Sequence, residues 1–271
     1  MESNIGYLYN KVYFENYLKN NNHNFTNDII AASKSGIITN TISAATSLFK
    51  LTTVYPGLIA GAGYEHEVGG NQKNELKFGC FFDYTTGMPV IPGSSIKGVI
   101  RSAFPQRKNS CNTSDEIKNA KAEIIWDFLK KKNQNLSETC NSDFIDNLES
   151  DIFDGKKKSV YKRDIFYDAS IVEVEKNAKF LATDVLCPHK GDMYSTQSPD
   201  VLQFLKVSPN VTFAFSFSLH DSILSIGEST ITITKQDKID LFNYIIKTQG
   251  LGAKTNVGYG RFEEPSKNNN T

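Results

Sequence analysis

The run Pro89-Val90-Ile91-Pro92-Gly93-Ser94-Ser95-Ile96-Lys97-Gly98-Val99-Ile100-Arg101 constrains the fold more than any other stretch, because it reads as strand, tight turn and helix in immediate succession. Pro92 and Gly93 break the strand, and Ser94 or Ser95 is placed to cap the helix by accepting a hydrogen bond from a first-turn N–H. Ile96, Val99, Ile100 and Ala103 recur at i, i+3, i+4 and i+7 as one apolar stripe, while Lys97 and Arg101 lie four apart on another side. Open N–H groups, two hydroxyls, a glycine that permits close approach and an adjacent lysine together suit an anion, above all a phosphate. A capped helix with ordinary surface charges accounts for Ser94-Ser95-Ile96 alone. The whole run, with Gly93, Lys97, Gly98 and Arg101 in place, favours phosphate contact.

A second informative stretch closes the chain: Gly250-Leu251-Gly252-Ala253-Lys254-Thr255-Asn256-Val257-Gly258-Tyr259-Gly260-Arg261-Phe262. Its glycines let backbone turn and approach a ligand, while Lys254, Thr255, Asn256, Tyr259 and Arg261 offer charge, hydrogen bonds and a stacking ring. It is not a nucleoside-triphosphate loop, since the GxxxxGK[ST] spacing is absent and the glycines follow a helix.

Between these runs the chain alternates strand and helix signals. Phe49–Tyr55 alternates as a strand, a glycine-rich connection brackets Tyr64-Glu65-His66-Glu67, and Leu76 to Ile91 form a hairpin about Asp83–Gly87. Ile5–Leu18 reads as a short helix, and helix is also assigned within Asp28–Thr46. Beyond Pro105 the composition turns charged, and two helices follow as an insertion over 106–160. The first presents Ile117, Ala120, Ile124 and Phe128, with Ile125 and Leu129, as its apolar face behind Ser114; the second runs from Ser142 to Phe153. Lys156–Lys158 with Lys162-Arg163 form a basic cluster that reads as a solvated charge run in preference to a phosphate contact. Strands return at Ile165–Ala169, Ile171–Val174 and Val211–Leu219, the last with one buried face. Asp184–Pro199 is a long polar loop, a helix covers Gln236–Thr248 with Gly250 as its C-cap, and Val257–Phe262 is a final strand.

Composition removes several function classes. The 271 residues suffice for a full core, and 30 basic against 30 acidic residues leave no global field toward nucleic acid or membrane, so any polyanion site is local. The 4 cysteines, at 80, 111, 140 and 187, form no CxxC pair, which argues against a zinc site and a disulfide framework. No apolar stretch is long enough to span a bilayer and no basic leader opens the chain, so a cytoplasmic protein without membrane, metal or cofactor is expected.

Taken together, the two motif runs resemble those of the RAMP proteins of CRISPR type III effector complexes. That signature is a strand running into I-P-G-S-S-x-K-G-x-x-R near the front and G-x-G-A-K-T-x-x-G-Y-G-R-F near the end, present here at Ile91–Arg101 and Gly250–Phe262. Asp164–Ala169, Asp184–His189 and Phe204–Pro209 look like the corresponding runs of the sixth-numbered RAMP subunit of the Cmr, or type III-B, complex. The resemblance covers about Leu51 to Phe262; the N-terminal portion and the helical insertion match nothing recognised. It implies an α+β chain of one RAMP domain, 1–271, with a ferredoxin-like, RNA-recognition-motif-type core in β-α-β-β-α-β order. A helical insertion at 106–160, a loop, β-hairpin or thumb insertion at 184–200 and a disordered tail at 264–271 complete it. It further implies an antiviral ribonucleoprotein, the subunit sitting along a CRISPR guide RNA near the end farthest from the 5′ tag. Guide RNA, target RNA and the neighbouring backbone, small and capping Cmr subunits are the implied partners. Gly93, Ser94, Ser95, Lys97 and Arg101, with Gly252, Lys254, Thr255, Asn256, Tyr259 and Arg261, are then the expected RNA contacts, and His66, His189 and Lys190 are further ones.

The competing expectation is an endoribonuclease, as a related backbone subunit is through an aspartate in the loop before I-P-G-S-S. Lys77 occupies that position here, although Glu75 and Asp83 are close, and His66 or His189 offers a general acid or base. The missing acid favours a non-catalytic subunit.

Overall fold

Phenylalanines spaced by two along one strand demand a common covered face, and the architecture is built on that demand. The computed structural model describes residues 4–16, 25–33, 44–61, 76, 80–107, 113–133, 136–137, 139–155, 158–186 and 202–266. The first half supplies α1 (Ile5–Tyr7), which widens into a π-helical turn at Leu8–Tyr13, then α2 (Phe25–Ala32), β1 (Ser47–Thr53), β2 (Val90–Ile91) and α3 (Gly93–Ser102). Two insertion helices follow, α4 (Asp115–Lys130) and α5 (Ser142–Glu149), the latter continuing into a wider turn at Ser150–Asp154. The second half adds β3 (Ile165–Phe166), β4 (Ala169–Val174), β5 (Leu181–Leu186), β6 (Leu202–Val207), β7 (Val211–Ser218), β8 (Ser222–Ile226), β9 (Ser229–Ile233), α6 (Lys235–Gln249) and β10 (Phe262–Glu263).

The main sheet is antiparallel in the order β10-β1-β7-β4-β2, with β3 also paired to β7. Along the chain its core is β1-α3-β4-β7-α6-β10, and in space the last strand flanks the first, which flanks the third, then the second. That is the ferredoxin-like arrangement of an α+β protein, in agreement with the expected order. One face is apolar: Phe49 and Leu51 from β1, with Phe213, Phe215 and Phe217 from β7, are buried with Ile96 and Ile100 of α3 and Phe242, Ile245 and Ile246 of α6. Phe49 stacks on Phe215 with centroids 5.2 Å apart, and Phe242 meets Phe166 and Phe217 at 5.5 Å each. Each such ring contributes roughly 1.5–3 kcal/mol relative to leaving it exposed.

Several elements depart from the sequence reading, each for a local reason. The strand expected to bury one face buries both, because Ala214 and Ser216 are short and lie opposite the longer Lys50 and Leu48, while Thr212 shares a hydroxyl hydrogen bond with Thr52 opposite it. The expected strand at Val257–Phe262 is confined to Phe262–Glu263: a 3₁₀ turn occupies Thr255–Val257, and Gly258 and Gly260 have positive φ, which a strand does not accept. Helix α4 buries Ala122, Ile125, Trp126 and Leu129, leaving Ile117 and Ile124 at 50% and 55% exposure on the opposite face. The β8–β9 hairpin, with Gly227 at its turn, was not foreseen. Asp184–Leu186, read as loop, belong to β5, which pairs throughout with β6. Within the tail read as disordered, Glu264 is held by Lys247 at 2.8 Å and Asn243 at 3.2 Å. Residues 17–24, 34–43, 187–201 and 267–271, which carry parts of the loop, helix and tail readings, lie outside the described residues.

The insertion is attached to the core at several points. Phe128 stacks on Tyr244 of α6 at 5.0 Å, Lys132 pairs with Asp240, and Lys121 donates to the Ser102 carbonyl at 2.8 Å. Behind α6 lies an enclosed ion pair. Lys238, with no exposed side-chain surface, donates to Asp164 Oδ2 at 2.5 Å and to the His220 carbonyl at 2.7 Å, and Asp164 Oδ1 accepts the His220 N–H at 2.9 Å. Burial lowers the Lys238 pKa against the opposing pull of Asp164. Removing one partner strands the other charge without solvent, so Asp164→Ala is expected to lower stability by about 3–5 kcal/mol in urea titrations. Adding Lys238→Met to that variant should recover part of the loss; a double variant no more stable than the single one would refute this account.

Candidate nucleic-acid interface

The terminal loop is shaped by backbone crossing backbone. Gly252, at φ 85°, lies so close to the 57–60 segment that a Cβ there would stand 2.2 Å from the Ile59 oxygen, and a Cβ on Gly260 would stand 1.7 Å from the Leu251 oxygen. This close approach allows a set of hydrogen bonds: Ala253 N–H to Ile59 O at 2.9 Å, Leu251 N–H to Gly260 O at 2.8 Å and Gly260 N–H to Gly57 O at 2.8 Å. Leu58 and Val207 then exchange bonds at 2.9 and 2.8 Å, which ties the loop to the β5–β6 hairpin. The glycine at 252 therefore serves the protein's own packing, where the sequence reading had it serving the approach of RNA.

Two further predicted contacts are engaged internally. Tyr259, expected to be a stacking ring, is only 7% exposed; it lies edge-on to Phe204 at 5.8 Å and donates to Asp184 Oδ2 at 2.7 Å. Lys206 donates to the same carboxylate at 2.5 Å and lies over the Tyr259 ring at 5.7 Å. Burial works to raise the Asp184 pKa, but the hydrogen bonds from Lys206 and Tyr259 outweigh it and hold the carboxyl below its usual range. The Tyr259 phenol is pushed upward by burial and by its bond to Asp184. Arg261 donates to the Thr248 carbonyl at 2.6 Å and the Thr255 carbonyl at 3.3 Å, placing its charge at the negative end of α6. Thr255 is half-buried. Lys254 and Asn256 are exposed, and their side chains have no hydrogen bond or ion pair among the described residues. Lys254 is held at φ 59°, a left-handed conformation that costs a non-glycine residue about 1–2 kcal/mol.

The front motif behaves differently from its reading as well. The helix begins at Gly93 behind Pro92, with no side-chain cap, so Ser94 and Ser95 are exposed first-turn residues and not caps. The Gly93 N–H is taken by Asp168 Oδ1 at 2.7 Å, and a Cβ on Gly93 would meet the Phe166 oxygen at 2.3 Å. Lys97 donates to the Phe153 carbonyl at 2.8 Å, and Arg101 reaches Asp154 at 3.1 Å and Glu149 at 3.6 Å while lying over the Phe153 ring. Burial raises the Glu149 pKa, opposed by the Gln106 N–H and by Arg101. Both cations, expected as phosphate contacts, thus also clamp the insertion to α3. His66, His189, Lys190, Glu75 and Lys77 lie outside the described residues.

The structure brings together groups that the sequence reading missed. Asp184 and Lys206 join the loop through Tyr259, and Tyr55 stands 83% exposed beside it. The sheet face opposite the helices carries Leu48, Lys50, Thr52, Thr212, Ala214 and Ser216 and, among these residues, none of the aromatic rings on which RNA-recognition motifs stack bases.

A family model for the RAMP superfamily matches residues 50–263. The chain belongs to the RAMP superfamily. The matched span contains both motif runs and the ferredoxin-like core from the middle of β1 onward. This RAMP protein is similar to the CRISPR system Cmr subunit Cmr6 of Pyrococcus furiosus, at 28% identity over 214 residues, which are 66% of this chain and 58% of that protein. The match therefore spans less than two thirds of the relative's length. Among solved structures, a chain of a type III-B Cmr-beta complex bound to cognate target RNA is 22% identical, with 80% of this chain and 57% of that one covered and a TM-score of 0.45. The crystal structure of Cmr6 from P. furiosus is 21% identical, with 83% and 99% covered and a TM-score of 0.43.

The Asp184 network makes a pH-dependent prediction. A carboxyl whose folded pKa is depressed stabilises the fold above its unfolded pKa, about 4, and that contribution disappears as pH falls through the lower folded value. Asp184→Asn should therefore melt below the wild type at neutral pH, with the gap closing below about pH 4. A gap that stays constant across that range would show that the carboxylate charge does not hold the loop.

Proposed function

We propose that this RAMP protein is a non-catalytic RNA-binding subunit of a CRISPR type III-B effector, with its 250–261 loop corner against the guide RNA backbone. One observation carries the reading: where Lys97, Arg101, Tyr259 and Arg261 all have internal partners, Lys254 and Asn256 project unpaired from a backbone held rigid by its own hydrogen bonds. An exposed cation and amide on a fixed, glycine-bearing loop match a phosphodiester backbone, which asks for charge and donors at set positions and for no base readout. Similarity to Cmr6 supports the choice of complex, with guide RNA, target RNA and other Cmr subunits as partners. In this role base pairing selects the target, and the subunit positions the guide–target duplex near the guide end distal to the 5′ tag.

Cleavage by this subunit itself is the competing reading. A cleft of about 390 Å³ between the 83–87 turn and β4 is lined by two carboxylates, Asp83 and Asp168. Asp83 Oδ1 accepts from Thr85 Oγ1 at 2.5 Å, Thr85 N–H at 3.0 Å and Thr86 N–H at 2.7 Å, bonds led by the Thr85 hydroxyl that lower its pKa. Asp168 holds the Gly93 N–H. Asp83, held ionised by its bonds to Thr85 and Thr86, is a poor proton donor near neutral pH, and Asp168 is spent on a backbone donor, which supports the non-catalytic reading.

The two motif clusters can be separated by salt titration. Lys254→Ala should weaken binding of single-stranded RNA across all sequences and reduce the slope of log K against log salt by about 0.7, the value for one single-strand phosphate contact. Lys97→Ala should leave the slope unchanged and cost about 1 kcal/mol of stability through its lost bond to Phe153. The reverse result would move the interface to α3. Reconstituted complexes carrying Asp83→Ala or Asp168→Ala should cleave target RNA at every normal position, and loss of one position with assembly intact would establish an active site here.

A further inference from the structure

The loop that Tyr259 was expected to equip with a ring has none of its own, since that side chain is buried against Phe204 and Asp184. A different ring stands at the same corner. Tyr55 is 83% exposed and has no hydrogen bond or ring contact among the described residues. Its backbone is fixed on both sides: Val54 N–H donates to the Arg261 oxygen at 3.1 Å, and Gly57 N–H donates to the Val54 oxygen at 2.8 Å. Gly57 in turn accepts from Gly260 at 2.8 Å, and a Cβ on Gly258 would lie 3.5 Å from Pro56 Cδ, so the 54–57 turn and the glycine loop are packed together.

We propose that Tyr55 is the base-stacking residue of this corner, its ring lying against a nucleobase of single-stranded RNA whose phosphates run past Lys254 and Asn256. The inference rests on the RNA-binding reading of the loop and adds to it the ring that the loop lacks. Three properties favour a nucleic acid over a protein partner. The free neighbours are an ammonium and an amide, and Val257 is the one exposed large apolar side chain of the loop. The supporting backbone is fixed, so little entropy is lost when a base is placed on the ring. A tyrosine face accepts any base, as suits a subunit that holds a guide of variable sequence.

The experiment uses the full chain and fluorescently labelled oligouridine, with the same ribose-phosphate backbone lacking bases as the second ligand. Tyr55→Ala should weaken binding to oligouridine by about 5- to 100-fold and leave binding to the abasic backbone unchanged, while Tyr55→Phe keeps near wild-type affinity. Lys254→Ala should weaken both ligands alike. Melting temperatures of the Tyr55 variants should match the wild type, because the ring is solvated. Equal binding of wild type and Tyr55→Ala to oligouridine overturns the stacking role, and a Lys254→Ala loss in the same assay would leave the loop reading intact. If neither substitution matters, both readings fall. If Tyr55→Ala impairs only co-assembly with partner proteins, the ring is a protein contact and the proposal is wrong.

Discussion

A lysine and an aspartate enclosed together, away from water, decide how the second half of the chain closes. Lys238 belongs to α6, Asp164 precedes β3, and the His220 backbone they share leads into the β8–β9 hairpin. Neither charge is tolerable alone in that environment, so the helix, the sheet edge and the hairpin have one mutual arrangement that satisfies all three. A second polar cluster continues the join outward: Asp151 of the insertion accepts from Lys158 and from the Ser222 hydroxyl. The phenylalanine face of the sheet supplies the larger share of apolar burial, but it is these directional bonds that set which helix lies where on it.

The same logic explains why a motif rich in cations offers so few of them to a ligand. Lys97 and Arg101 sit on a helix whose charged side is covered by the turn after α5, and each meets a carbonyl, a carboxylate or a ring there. Arg261 is drawn to the carbonyl end of α6. Of the cations in the two motif runs, Lys254 is the one whose side chain has no partner among the described residues.

The core was legible in the sequence because its signals are local. Alternating phenylalanines at 213, 215 and 217, the stripe Ile96-Val99-Ile100 and the glycine after Gln249 each carry their period or their cap within a few residues. The RAMP motifs were legible for the same reason. Side-chain destinations were not. Nothing near Lys97 announces Phe153, more than fifty positions later, and nothing near Tyr259 announces Asp184. On α4 two apolar stripes overlap, and the choice of Trp126 over Ile124 for the interior was made by Phe144, whose ring meets the indole edge-on at 5.7 Å. The β8–β9 hairpin carries little local signal, because each strand has only five residues and Ile223-Leu224 interrupts the alternation in β8.

The carboxylate shared by Tyr259 and Lys206 has a mechanical consequence. One end of the β5–β6 hairpin is bonded to the 58–60 segment through Leu58 and Val207, and its middle is bonded to the terminal loop through Asp184. Hairpin and loop are therefore coupled as a lever to its fulcrum: sliding one strand past the loop by a single residue would break a charge-assisted bond and the paired Leu58–Val207 bonds at once. The placing of the hairpin relative to the turn that carries Lys254 is thereby set by the chain's own bonds, in advance of any ligand.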